Sequence, residues 1–260
     1  MLNCENIRMS VAGGVGREII YLESIDSTNR LAMDLGDKGA VHGTVVIAAA
    51  QTKGRGRLGR RWESPAGVNI YMSVILRPAL EPKDATLLTI LSSVACARAI
   101  RERTGLYAQI KWPNDLMFGD KKLGGILTEI RLISGKILFA VIGIGINVNA
   151  GREDFPPELS DTVTSVMIET AVKQDMDKII SSVLNNLEGY YNDFLKKESL
   201  TLLDEWRSLN STLGRHVRVA TGGGTYLGVA HDIDDNGMLI LRMSSGELRK
   251  ISAGDLNILR

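Results

Sequence analysis

The feature that most limits the fold is a glycine- and arginine-rich stretch between two strand-like runs. It reads Gly54, Arg55, Gly56, Arg57, Leu58, Gly59, Arg60, Arg61, Trp62. Apolar residues 44–50 lead into it and residues 69–76 follow it. The glycine spacing matches a dinucleotide-binding turn, but that turn must open a helix. Here Pro65 and Gly67 intervene and the next regular segment is a strand, so a Rossmann site is not expected. The chain has no Gly-Lys-Ser/Thr ending, so any ATP is held without a P-loop. Glycines let the backbone approach a ligand. Arginines offer forked donors for phosphate and carboxylate. Trp62 adds a ring that can cover a base. The stretch reads as a clamp on a small phosphate-containing ligand. Taken alone, it also reads as a solvated basic loop or a nucleic-acid contact.

The 260 residues accommodate one large domain and a small one. A net charge of +1 gives no global case for binding a polyanion. Cys4 and Cys96 make neither a metal-ligand spacing nor a disulfide framework, and the N-terminus has no apolar signal region. A reduced, cytoplasmic setting is the expectation. The most apolar helix candidate, 85–100, carries Thr86, Thr89, Ser92, Ser93 and Arg98, so it reads as a core helix and not a membrane span.

Residues 1–17, with Gly13, Gly14 and Gly16, read as a flexible lead without a helix. A strand at 18–24 precedes a short helix with Ser27, Thr28 and Asn29 at its start, ending at Gly36 and Gly39. A long helix at 84–103 stops at Gly105. Strands at 108–111, 116–118, 122–132 and 137–148 follow, with turns at Gly119-Asp120 and Ser134-Gly135. This is an α+β layer: a mixed or antiparallel sheet with helices on one side. A polar loop at 150–160 leads to helices at 175–197 and 200–209, whose apolar stripes read as plain packing. Five short runs (216–220, 225–230, 238–242, 248–251, 256–259) suggest a small β-barrel. The expected division is a lead, 1–17, a main domain, 18–212, and a barrel, 213–260.

Polar residues gather at strand ends. Lys111, Trp112, Pro113, Asn114 and Asp115 end one strand, where the lysine and aspartate either orient a nucleophile or pair with each other. Lys122 precedes Gly124 and Gly125, a pair that admits a flat ligand or marks a bulge; Lys122 then lies at its mouth, or is simply solvated. Gly143 and Gly145 share a strand face, and alternation puts Asn147 there too, as a site residue or a structural strand-end asparagine. Gln51 closes the strand feeding the arginine stretch. His42, His216 and His231 are scattered, so no Ser/His/Asp set and no bound transition metal are expected. Any metal is Mg²⁺ held mainly by nucleotide phosphates.

Together these motifs resemble the biotin protein ligases. The order is Asp26-Ser27-Thr28-Asn29; Gln51 with the arginine stretch; Ser64-Pro65 and Gly67 with Asn69 and Tyr71; Lys111 to Asp115; Lys122 to Leu127; and Gly143 to Asn147. The likeness covers residues 18–150 strongly and the C-terminal part in outline. It implies a catalytic layer related to class II aminoacyl-tRNA synthetases and lipoate ligases, followed by an SH3-like barrel. It implies that biotin and ATP form biotinyl-5′-AMP, from which biotin passes to a lysine of a biotin carboxyl carrier domain. By the resemblance, Lys122 and Arg57 act on the biotin carboxylate and α-phosphate. Asp115 receives the incoming lysine and Lys111 steadies Asp115. Ser27, Thr28, Asn29, Gln51, Gly54, Arg55, Gly56, Arg57, Lys122 and Gly125 hold biotin. Arg55, Arg57, Arg60, Trp62, Lys122 and Asn147 hold the adenylate, with Asn147 also the protein oxygen offered to Mg²⁺.

The same likeness suggests a homodimer through a sheet edge, and no nucleic-acid or membrane partner. Bifunctional members carry an N-terminal winged helix-turn-helix, whereas the short lead here suggests the ligase-only type, with no repressor role. Gly124 replaces an alanine of some members, a change expected to be harmless. The rival acid is lipoate; the Gly-Arg-Gly-Arg and Lys-Trp-Pro-Asn-Asp strings favour biotin. A nucleic-acid-binding module is the rival of another class, disfavoured by the near-zero net charge.

Overall fold

The computed structural model describes residues 2–196 and 199–259. Seven strands make the main sheet: β1 (Ile19–Ile25), β2 (Val45–Gln51), β3 (Ile70–Leu76), β4 (Gln109–Lys111), β5 (Asp115–Phe118), β6 (Lys121–Ile133) and β7 (Lys136–Ile146). Their order is β1-β2-β3-β7-β6-β5-β4, with only β1 and β2 parallel. The helices are α1 (Cys4–Ser10), α2 (Thr28–Asp37), α3 (Ala85–Thr104), α4 (Val166–Thr170), α5 (Met176–Leu195) and α6 (Ser199–Leu209). The expected helix end at Lys197 lies outside the described residues.

Side-chain alternation along β2 separates two cores. Val45 and Ile47 enter the large core with α3 and α5. Val46 instead joins Ala32 of α2 with Ile75, Phe139 and Val141. Helices therefore cover both faces, not one. The expectation failed because the apolar residues of α2 (Leu31, Ala32, Met33 and Leu35) define a buried face of the helix but not the side of the sheet that it meets. Helix α3 is apolar on nearly every side because it lies between the sheet and α5 and α6. Its glycine stop is real: Gly105 takes the left-handed cap at φ 71°.

The first residues are not a helix-free lead. The Asn3 side chain accepts from the backbone N–H groups of Glu5 and Asn6, and α1 follows, burying Ile7. The glycines that suggested flexibility serve close approach. A Cβ on Gly13 would lie 2.0 Å from Oε2 of Glu188. Gly14 N–H donates to that side chain's Oε1 at 2.7 Å, which pins the segment to α5. Helix α4 had no expectation; it starts where Ser165 Oγ accepts from Ile168 N–H at 3.1 Å.

The C-terminal strands β8 (His216–Thr221), β9 (Gly224–Ile233), β10 (Leu239–Arg242), β11 (Leu248–Ile251) and β12 (Asp255–Ile258) form an antiparallel sheet ordered β11-β10-β9-β8-β12. Among the described residues β11 and β12 form no ladder with each other. The unit is thus a five-stranded sheet consistent with an SH3-like domain, without the expected closure. Trp112, buried in the large core, donates from Nε1 to the Gly237 carbonyl at 3.1 Å and ties the two sheets together.

Candidate active site

Strand register gathers the scattered motifs. Lys111 pairs with Asp115, Asp115 with Gly125, Gly125 with Gly145, Gly145 with Tyr71, and Tyr71 with Ala48. Cross-strand partners share a face, so one row crosses the sheet on the α2 side. The adjacent row carries Leu127, Gly143 and Ser73. Between Leu116 and Met117 the β5–β6 register slips by one. That bulge sends Leu123 into the large core and turns Lys122 toward the Gly125 side. A Cβ on Gly125 would lie 3.6 Å from Lys122 Nζ. The lysine is therefore aimed, although plain alternation would have faced it away.

The glycines form a floor. A Cβ on Gly145 would lie 2.7 Å from the Trp62 ring, and one on Gly125 3.5 Å from it. The indole rests on both strands where side chains are missing, its Nε1 buried without a hydrogen-bond partner among the described residues. A Cβ on Gly143 would fall 1.9 Å from Asn29 Oδ1, so that glycine makes room for the start of α2. Gly124 is less permissive than expected: an added Cβ would sit 2.7 Å from the Gly145 carbonyl oxygen.

The arginine stretch is a hairpin. Trp62 N–H donates to Gly54 O at 3.0 Å and Gly56 N–H to Arg60 O at 2.7 Å. Its tip turns through Leu58 and Gly59, both at positive φ, 56° and 75°. Each arginine then meets a different element. Arg55 reaches Glu129 on β6 at 3.0 Å. Arg57 Nη1 donates to Asn114 Oδ1 at 2.9 Å. Arg60 pairs with Asp255 on β12. Arg61 stays with Glu63 at 3.3 Å.

Arg57 and Lys122 line one cavity with Ser27, Gln51, Trp62 and Asp115. Lys122 Nζ donates to Asp115 Oδ1 at 2.5 Å. The ion pair on Asp115 is thus made by Lys122; among the described residues Lys111 makes none. Burial lowers the Arg57 guanidinium from its ordinary value, against the opposing pull of Asp115 and Asp255; an arginine so shifted still carries its charge. Also in the lining, Thr28 donates to Gln51 Oε1 from its N–H at 2.9 Å and its hydroxyl at 3.1 Å. Gln51 Nε2 donates to Ser64 Oγ at 3.0 Å.

Gly54 is not a lining residue; a Cβ there would strike the Trp62 carbonyl at 2.4 Å, so it closes the hairpin neck. Asn147 lines the cavity, but its Nδ2 is committed to the Thr164 carbonyl at 3.0 Å. Among the described residues no three acidic, histidine or cysteine side chains converge as metal ligands.

Residues 21–147 match the biotin/lipoate A/B protein ligase family, and residues 212–256 the biotin protein ligase C-terminal domain. The bifunctional ligase/repressor BirA of Bacillus spizizenii is 38% identical, over 94% of this chain and 75% of its own. The biotin–[acetyl-CoA-carboxylase] ligase of Mycobacterium tuberculosis is 34% identical, over 96% of this chain and 92% of its own. This chain belongs to the biotin protein ligase family. A solved biotin protein ligase from Aquifex aeolicus, in complex with biotin and ATP, matches with a TM-score of 0.79 at 29% identity, covering 94% of this chain and 99% of that one.

Sequence reasoning missed four polar residues of this ligase-family site. Ser73 was visible as the one small polar residue in an apolar strand. Glu129 was findable from the period-two step Gly125, Leu127, Glu129. Asn114 sat inside a quoted motif but had no role. Asp255 gave no signal, because only the packing of the C-terminal sheet brings it to Arg60.

Proposed function

We propose that this chain, as a biotin–protein ligase, makes biotinyl-5′-AMP from biotin and MgATP at this cavity and passes the biotinyl group to a carrier-protein lysine. A biotin carboxylate oxygen attacks the α-phosphorus, the bond to the bridging oxygen breaks, and pyrophosphate leaves. The carrier amine then attacks the acyl carbon and AMP leaves with the C–O bond electrons. The observation that carries the reading is that Arg57 and Lys122, from distant motifs, line one cavity together with the uncharged polar Ser27, Thr28 and Gln51.

Two anions must meet in the first step, and charge builds on phosphate oxygens in its transition state. Cations fixed beforehand in a partly dry site stabilise that charge. Lys122 bridges the carboxylate and α-phosphate, and Arg57 acts on the same oxygens. Ser27, Thr28, Asn29, Gln51 and Arg55 face the ureido ring, with the backbone of Gly56 and Gly125. Trp62 lies beside the adenylate, with Arg60 near it. Mg²⁺ enters on ATP as part of the substrate, with Asn147 the one protein oxygen offered to it. Asp115 orients the carrier lysine and accepts its proton as it attacks, with Lys111 beside it in the register.

The partner is a biotin carboxyl carrier domain, the setting cytoplasmic, and the assembly a homodimer through an edge of the seven-stranded sheet. Incubation with biotin and MgATP, read by mass for biotinyl-AMP, tests the first step. Formation is expected with biotin and not with lipoate; absence with biotin contradicts the reading.

A further inference from the structure

Glu129 is a charged residue beside the cavity that the reaction above does not use. Its carboxylate accepts from Arg55 through both oxygens, Nη1 to Oε2 at 3.1 Å and Nη2 to Oε1 at 3.0 Å. Oε2 also accepts from Asn29 Nδ2 at 3.0 Å. An ionised carboxylate can only accept. Asn29 must therefore turn its NH₂ toward β6 and its carbonyl toward Ser73, whose Oγ lies 2.7 Å from Asn29 Oδ1. Ser73 Oγ also lies 2.9 Å from Thr28 Oγ1, but with the Ser73 proton on Asn29 and the Thr28 proton on Gln51 neither hydroxyl has a proton left for that contact. The carboxylate, with the Leu127 carbonyl that accepts from the same Nδ2 at 3.3 Å, thus fixes the orientation of Asn29 and the direction of the Ser73 hydroxyl.

It also fixes the charge there. Arg55 has its counter-ion. Arg57 donates to the neutral amide of Asn114 and, among the described residues, makes no ion pair; Asp115 and Asp255 act on it from beyond contact. The cavity lining therefore presents Arg55 in direct contact with a carboxylate and Arg57 with none in contact. A carboxylic acid with a neutral polar head has one favoured orientation, acid toward Arg57 and Lys122. With Arg55 unpaired, its guanidinium would attract the carboxylate to the wrong end.

We propose that Glu129 is a positioning residue that acts through Arg55 and Asn29 to set the orientation of the acid substrate and to favour a cyclic urea head over an apolar one. This rests on the biotin reading above. The test compares wild type, Glu129→Gln and Glu129→Asp in adenylation with biotin, in inhibition by octanoate, and in transfer from preformed biotinyl-AMP. Glu129→Gln is expected to raise KM for biotin tenfold or more and to strengthen octanoate inhibition. KM for ATP and the transfer rate should stay near wild type, and Glu129→Asp should recover part of the loss. Wild-type KM and octanoate inhibition in Glu129→Gln would overturn the proposal, as would equal damage to ATP use and transfer. A wild-type protein that makes no biotinyl-AMP would overturn the biotin reading beneath it.

Discussion

Lys122 and Asp115 meet at the mouth of the cavity, Nζ donating to Oδ1 at 2.5 Å. The two groups serve successive steps in the proposed reaction. While they are paired, the carboxylate is shielded from an incoming ammonium group. When Lys122 moves to the α-phosphate, Asp115 is released to receive the carrier lysine. The half-reactions should therefore separate by residue. Lys122→Ala should slow adenylation about 100-fold or more. Asp115→Asn should leave adenylation within a few-fold and slow transfer by about 100-fold. Rapid-quench measurement of each half-reaction checks this.

Gly145 underlies Trp62, and an added methyl would lie 2.7 Å from the indole. Gly145→Ala should displace the ring and raise KM for biotin and ATP together, roughly tenfold each. The strand itself should tolerate the change, so the melting temperature should move by only a few degrees. Steady-state kinetics with a thermal melt separates lost site from lost fold.

Asp255 holds Arg60 from the other sheet, and its carboxyl lies below the usual carboxylate value because of that hydrogen bond, aided by Lys111 and Arg57. A depressed folded-state value stabilises above the unfolded value of about 3.9 and is lost as pH falls through the folded one. The stability difference between wild type and Asp255→Asn should therefore be flat from about pH 5 to 8 and shrink below about pH 4. Urea melts across that range test the sign.

Much of the catalytic layer was readable because its signals are local. Glycines at 143 and 145 marked an open strand face, and Gly105 marked a helix end by its own geometry. What was not readable depends on distant packing. The glycines at 13 and 14 looked flexible because sequence does not display Glu188 of α5 lying against them. Lys111 looked like the partner of Asp115 because it is near in sequence. The bulge at Leu123 brought Lys122 there instead. The side of the sheet taken by α2 was hidden for a similar reason, since two alternating cores follow from β2 only once the helix is docked.

Arg57 closes the hairpin onto Asn114, so its loss should open the site to water and bulk amines. Arg57→Ala should release biotinyl-AMP and label unrelated protein lysines. Chromatography of free adenylate and mass mapping of a bystander protein read both effects. Retention equal to wild type would show that other contacts hold the intermediate.

Arg57 and Lys122 are proposed to act on the same oxygens, and a double-mutant cycle on pyrophosphate release tests that most directly. Groups serving one charge should be coupled, with Arg57→Ala plus Lys122→Ala costing clearly less than the sum of the single losses, by about 1 kcal/mol or more. Strict additivity, within about 0.5 kcal/mol, would mean that the two cations serve different ends of the cavity and would contradict the account.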